Sequence, residues 1–282
     1  MSVRLAQIFD AFGSYYPLKA SVYLKRVGNN LSNYFDLTDG TISIDASNYA
    51  QIAQASNKAI FDDVLSSYTG NGYIIVRATG GLTWPVVEYP ILTETPRKYN
   101  LYLRMQSPSG NIQFSVLIDG EVVASVDLVG AASVWDWYSL DFAIPDTKKH
   151  VLGIRLEEDS LALDKVYLNK DYTVITGSGP NLTTSPFVTI HLQLYAVDVD
   201  GQTPVSVLDV YDFKTTIEEV VIDDWYNFSL QPIDLSITLN FDGSYALVMS
   251  SSGSSDNNFV VWELVDNNEY SILPSALMVK NV

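Results

Sequence analysis

From residue 42 onward the chain alternates apolar and polar side chains with a period of two, in short runs rich in Val, Ile, Leu, Tyr and Phe that end in Gly, Pro, Asn or Asp. That period points successive side chains to opposite faces of an extended strand, whereas a helix needs apolar residues every third or fourth position. The clearest unit is residues 113–126: two alternating runs separated by Asp119-Gly120, a pair suited to the positive φ angles of a two-residue hairpin turn. Similar runs occupy residues 99–105, 150–156, 163–168, 187–197, 205–213, 237–241, 245–250 and 258–264. Short strands at this spacing, with no long amphipathic helices between them, predict an all-β chain of antiparallel sandwiches. One stretch is ambiguous. Residues 48–65 place Ile52, Ala55, Ala59, Ile60 and Val64 where either one or two helical turns or a loop crossing the end of a sandwich would fit.

Charge narrows the partners. The 282 residues carry 33 acidic against 16 basic side chains, a net charge of −17. Nucleic-acid affinity depends on Lys and Arg neutralising phosphates, so no nucleic-acid partner is expected. The same charge argues against binding to an anionic membrane surface, and no apolar run reaches the length of a spanning helix. Without cysteine there is no disulfide framework, thiol nucleophile or thiolate metal site. Residues 1–16 lack the pattern of a secretory signal peptide.

Composition shifts suggest the organisation. Residues 1–36 hold Arg4, Lys19, Lys25 and Arg26 against only Asp10 and Asp36, and read as an N-terminal arm or docking segment. Residues 176–186 are rich in Gly, Ser, Thr and Pro, the composition of a linker. The expected domains are therefore a sandwich over 37–175, the linker, and a second sandwich over 187–282. Asp136-Trp137-Tyr138 and Asp224-Trp225-Tyr226 form a faint echo between the halves.

Within residues 40–172 the motifs fall in a familiar order. Ile44-Asp45-Ala46-Ser47-Asn48-Tyr49 is followed by Tyr68-Thr69-Gly70-Asn71-Gly72-Tyr73, then Val134-Trp135-Asp136-Trp137-Tyr138 and Leu163-Asp164-Lys165-Val166. This half of the chain resembles the jelly-roll carbohydrate-binding modules of the family 6 and 35 type. The resemblance implies a jelly-roll with a glycan ligand for the first domain; with the strand pattern of residues 187–282 the expected fold is two antiparallel jelly-roll β-sandwich domains in tandem behind the arm. Trp135, Tyr68 and Tyr73 match its aromatic sugar-stacking positions and Asn71 lies on the same expected loop, while Ala162 stands near where an asparagine would be expected. The resemblance also implies one cofactor, a structural calcium between Asp45 and Asp164, with Ser47 where a second acidic ligand is common. The alternative for both carboxylates is capping of strand ends through backbone N–H groups.

No catalytic constellation emerges. The adjacent acids Glu157-Glu158-Asp159, Glu218-Glu219 and Asp223-Asp224 suit solvated turns, not two carboxyls facing across a cleft. His150 and His191 have no motif pairing them with a nucleophile. Residues 243–262, with Tyr245-Ala246-Leu247-Val248 and Trp262, resemble a sandwich domain of phage tail and other virion proteins. The combined expectation is a non-enzymatic structural protein of a phage particle, located in the virion, a homo-oligomer docked to other virion proteins through residues 1–36. The alternative is a free or ancillary carbohydrate-binding module of a polysaccharide-degrading system.

Overall fold

The computed structural model describes residues 4–10, 21–28, 33–54, 59–77, 83–131, 133–197, 204–215, 225–229, 244–252, 258–262 and 276–280. Strands dominate them and no helix occurs among them. The chain is all-β, as its alternation predicts.

Residues 35–169 supply two facing sheets. One is built from β3 (Phe35–Asp36), β5 (Gln51–Ala53), β8 (Val86–Leu92), β10 (Asn111–Ile118), β11 (Glu121–Val129) and β13 (Lys149–Leu156). Its order is β11-β10-β13-β8-β3, with β5 also pairing β8. The other comprises β4 (Thr41–Asp45), β6 (Ala59–Asp62), β7 (Tyr73–Val76), β9 (Arg97–Gln106), β12 (Asp136–Ile144) and β14 (Ala162–Asn169). Its order is β12-β9-β14-β7-β6, with β4 also pairing β14. All these pairings are antiparallel except β3 with β8. Alternate residues of both sheets meet in one core, where Leu101, Leu103 and Met105 of β9 join Phe114 and Val116 of β10 and Leu152 and Ile154 of β13. The Asp119-Gly120 turn forms as expected, with φ of 52° and 87°. Residues 48–65 follow neither of their two expected readings: their described part forms β5 and β6, because Ala59, Ile60 and Phe61 are buried at the sheet edge.

The N-terminal segment is not a free arm. β1 (Arg4–Asp10) lies between β18 (Ser244–Ser252) and β20 (Ala276–Lys280), in a five-stranded sheet completed by β15 (Val188–Val197) and β16 (Pro204–Thr215). β2 (Ser21–Gly28) lies between β17 (Trp225–Ser229) and β19 (Asn258–Trp262). An interior strand pairs its backbone on both edges and leaves neither open for an outside partner. The described strands of residues 1–36 are therefore paired within the chain and not left as free edges. The strand expected at 237–241 and the acids Glu218, Glu219, Asp223 and Asp224 lie outside the described residues.

Nor do residues 176–186 dangle as a linker. They run as a strap over the outer face of the β12-β9-β14-β4 surface. Lys165 Nζ donates to the carbonyls of Ser178 (2.8 Å) and Pro180 (2.9 Å), Trp137 Nε1 to the carbonyl of Gly177 (3.0 Å), and Thr183 N to that of Ser43 (2.7 Å). Gly179, at φ +69°, packs so closely on the Trp137 ring that a Cβ there would overlap it. Linker composition here meets the demand of positive φ, which glycine satisfies without strain.

Past the strap, a buried polar seam joins the two groups of sheets. Thr189 Oγ1 lies 2.8 Å from both Asn48 Oδ1 and the Tyr49 carbonyl, its one proton donated to one of them, and Gln193 Nε2 donates to the Phe61 carbonyl at 3.0 Å. His191 stacks on Phe61 at 4.4 Å between centroids, with Tyr49 Oη 3.3 Å from Nδ1 and Ser252 Oγ 2.9 Å from Nε2. The Ser252 hydroxyl donates to the Ser47 carbonyl, so Nε2 carries the ring proton and Nδ1 accepts from the tyrosine. Buried polar groups satisfied in this way fix a single docking geometry.

A hydrogen-bonded strap has slow amide exchange. Lys165→Met removes two charge-assisted bonds, each worth about 1.5–3 kcal/mol. We expect exchange at the amide of Gly179, which is bonded to the Thr176 carbonyl, to accelerate about tenfold or more. Hydrogen exchange read by mass spectrometry checks this, and unchanged rates would contradict the strap.

Candidate functional site

The functional candidates converge at one end of the β4/β14/β9 surface, and a β-bulge makes them converge. In the β14–β9 pairing Leu163 faces Met105 and Lys165 faces Arg104, which leaves Asp164 as the extra residue. A bulge re-aims the side chain it carries. Asp164 thus turns toward residues 66–71, where Oδ1 accepts from Thr69 N (2.7 Å) and Oδ2 from Thr69 Oγ1 (2.9 Å).

Asp45 ends β4 and serves the same loop. Its Oδ1 accepts from Ser47 N (2.9 Å) and Ser47 Oγ (2.6 Å), and its Oδ2 from Asn71 N (2.8 Å) and Asn71 Nδ2 (3.2 Å). Gly70 has φ +80°, and a Cβ there would overlap the Asp45 carboxylate. The loop backbone lies against that carboxylate because residue 70 has no side chain.

Register supplies the compensating charge. Trp137, Arg104, Lys165 and Asp45 stand opposite one another across β12, β9, β14 and β4. Arg104 is 6% exposed and Lys165 3%. Arg104 Nη1 lies 2.5 Å from Asp164 Oδ2 and donates to the Ser67 carbonyl at 3.0 Å, while its Nε has no partner among the described residues. Two buried acids are thus interleaved with two buried bases.

This donor set does not fit a calcium ion. A hard cation takes six to eight oxygen ligands, but each oxygen of Asp45 and Asp164 already accepts N–H or O–H donors and the nearest charge to Asp164 is a guanidinium. Asp45 and Asp164 both bond to the same loop, residues 66–71. Their bonds to the amides of Ser47, Asn71 and Thr69 follow the capping alternative.

The expected sugar-binding residues also come together, with unequal roles. Tyr73 is fully buried and accepts from Leu65 N through its hydroxyl. Burial pushes its phenol well above the usual range, so it stays neutral. Trp135 is half-buried, set edge-to-face on Tyr73 at 5.5 Å, with Nε1 donating to the Ser66 carbonyl at 3.0 Å. The Arg104 guanidinium carbon sits over the indole, 5.5 Å from its centroid, within cation–π range. Tyr68 is half-buried with its ring 5.7 Å from that of Tyr73. The Asn71 side chain is turned to Asp45. Trp135 and Tyr68 therefore form the reachable surface, while Tyr73 and Asn71 hold it. Arg104, the hub of the cluster, was not singled out from the sequence; its isolation as a charge inside the apolar run of residues 101–105 was the available signal.

Other reactive groups are elsewhere. Glu157 binds Arg155 and Ser115, and Glu158 accepts from Ser109. His150 is buried, with Nδ1 2.7 Å from Asp119 Oδ2 and Nε2 3.0 Å from Asp146 Oδ1 at ion-pair distance without hydrogen-bond geometry. His191 and Ser252 look like a base and nucleophile, but both are fully buried and the hydroxyl proton is committed to Ser47.

Burial pushes the Asp45 carboxyl up to about 6, and the Asp164 charge adds to the rise against the opposing bonds from Ser47 and Asn71. Between its ordinary value of 3.8 and that value, the folded state binds more protons than the unfolded. Stability therefore falls as pH rises through this window, by on the order of 3 kcal/mol. Asp45→Asn should flatten the melting-temperature profile between pH 4 and 6 whatever its overall offset. Gly70→Ala should destabilise by about 1–2 kcal/mol from backbone strain alone, and more from displacing Asp45; urea unfolding measures it.

No family model matches the chain, and no curated protein matches it. Several solved structures are similar to part of it. A family 35 carbohydrate-binding module from Clostridium thermocellum has 17% identity and a TM-score of 0.37, covering 45% of this chain and 96% of that one. A family 6 module from Cellvibrio mixtus lichenase 5A, solved with cellotriose, has 15% identity and a TM-score of 0.37, covering 46% and 97%. The Podospora anserina GH26-CBM35 β-(1,4)-mannanase has 18% identity and a TM-score of 0.38, covering 48% of this chain and 29% of its own.

Proposed function

We propose that this chain is a non-catalytic glycan-binding protein whose ligand is held at Trp135 and Tyr68, at one end of the sandwich formed by residues 35–169. The observation that supports this most is the setting of Trp135. Its indole is half-exposed yet fixed by Tyr73, Ser66 and Arg104, and Val134 beside it is exposed. A pyranose offers an apolar face for an aromatic ring and a rim of hydroxyls for polar neighbours. A ring already immobilised loses little side-chain entropy on binding, which raises affinity without further contacts.

The residues favour an ancillary or free carbohydrate-binding protein over a virion component. The virion reading drew in part on residues 1–36 as a docking arm, and the described strands of that segment, β1 and β2, are paired within the chain. The carbohydrate reading depends on Trp135, Tyr68, Tyr73 and Asn71, which lie together.

A glycan array followed by titration of the best hit tests the proposal. Trp135→Ala should weaken binding about tenfold or more, the scale of an aromatic anchor, with the melting temperature little changed. Exposed Tyr172, 75% accessible, serves as control, and Tyr172→Ala should bind as the parent does. Equal binding by the parent and Trp135→Ala would overturn the site, and an array with no hit would overturn the function.

A further inference from the structure

The loop that presents Trp135 is tied to the sheet by charge, and the charge comes from within the chain. Asp164 is fully buried and Asp45 is 7% exposed. Two buried carboxylates repel one another and need a cation between or beside them. We propose that Arg104 is a positioning residue that takes the place of a bridging metal ion, holding Asp164, residues 66–69 and the Trp135 ring in one arrangement that needs no calcium. The inference rests on the glycan reading only for what Trp135 contacts; the charge arrangement stands without it.

Three contacts of one side chain carry the argument. The guanidinium reaches Asp164 Oδ2 at 2.5 Å, the Ser67 carbonyl at 3.0 Å and the Trp135 ring at 5.5 Å. Its strand position is set opposite both Trp137 and Lys165. Both polar contacts come from Nη1, and the planar guanidinium on its longer stem reaches the indole at the same time, a placement that the compact ammonium of a lysine would have to reproduce from a shorter reach. Lys165 supplies the second positive charge and spends its donors on the strap, so the quartet is balanced. A divalent ion entering here would meet a guanidinium at contact distance and carboxylate oxygens that already have donors.

Calcium alone, chelator and three variants test this in the full chain. The parent should melt at the same temperature in 5–10 mM calcium, in EDTA and in neither, at roughly the millimolar range of weak extracellular calcium sites. A saturable rise with calcium would overturn the proposal. Arg104→Met should lower the melting temperature by about 10 °C, the scale of breaking a buried ion pair. With 5-fluorotryptophan labelling, it should also shift or broaden the 19F resonance that disappears in Trp135→Phe. Should Arg104→Met not fold, Arg104→Lys carries the test: it keeps the charge and loses the planar guanidinium, so it should fold, melt below the parent, and still move the Trp135 resonance. A parent-like melting temperature and Trp135 resonance in either variant would overturn the positioning role. These readouts need no glycan, so an array without hits would remove the proposed function and leave this inference to be judged separately.

Discussion

The extra residue in β14 is the feature on which the site depends. Regular pairing with β9 would have kept residue 164 in step with its neighbours. One inserted residue instead lets Asp164 leave the ladder and reach Thr69 and Arg104. From there the order of contacts is determined. Thr69 and Asn71 are fastened to Asp164 and Asp45, Tyr73 is buried at the start of β7, and Trp135 rests on Tyr73. An irregularity in the backbone is converted into the placement of an aromatic ring some thirty positions away along the chain.

A buried ion pair is weak evidence for stability, since apolar replacements of the same shape often do as well. Its value here is specificity. Arg104 touches a strand residue, a loop carbonyl and an indole, and only one loop conformation satisfies all three. An apolar core at this spot would be indifferent to where residues 66–71 settled. The raised Asp45 carboxyl shows what that choice costs in desolvation, and the bonds from Ser47 and Asn71 show how much of the cost is recovered.

Much of this was legible in the sequence because it is local. Alternation exposed the strands, Asp119-Gly120 exposed the hairpin, and motif order brought Asp45, Tyr68, Asn71, Tyr73, Trp135 and Asp164 into one region. What was not legible depends on pairing between distant positions. The bulge at Asp164 appears only when β14 is laid against β9. Composition misled for residues 176–186, since glycine and serine serve a flexible linker and a strap with positive φ angles equally well. Charge misled for residues 1–36. Its basic residues suggested an appendage, but membership of an interior strand is decided by partners more than two hundred residues away, such as Leu5 with Met249 and Ile8 with Ala246.

That last pairing bears on how the site is carried. Phe35, where the first sandwich begins, and Phe187, just before β15, meet ring to ring at 5.4 Å in its core. The chain therefore enters and leaves the sandwich at nearly one place, while β1 and β2 before it pair with strands that follow it. Strands that precede residue 35 thus pair with strands that follow residue 187, with residues 35–169 between them in the sequence. The strap and the seam of Thr189, His191 and Gln193 tie the sandwich of residues 35–169 to the five-stranded sheet. Loss of the seam, through Asn48 or His191, would remove the bonds between the two groups of sheets while leaving the contacts of Trp135 in place, so the two are set by different residues.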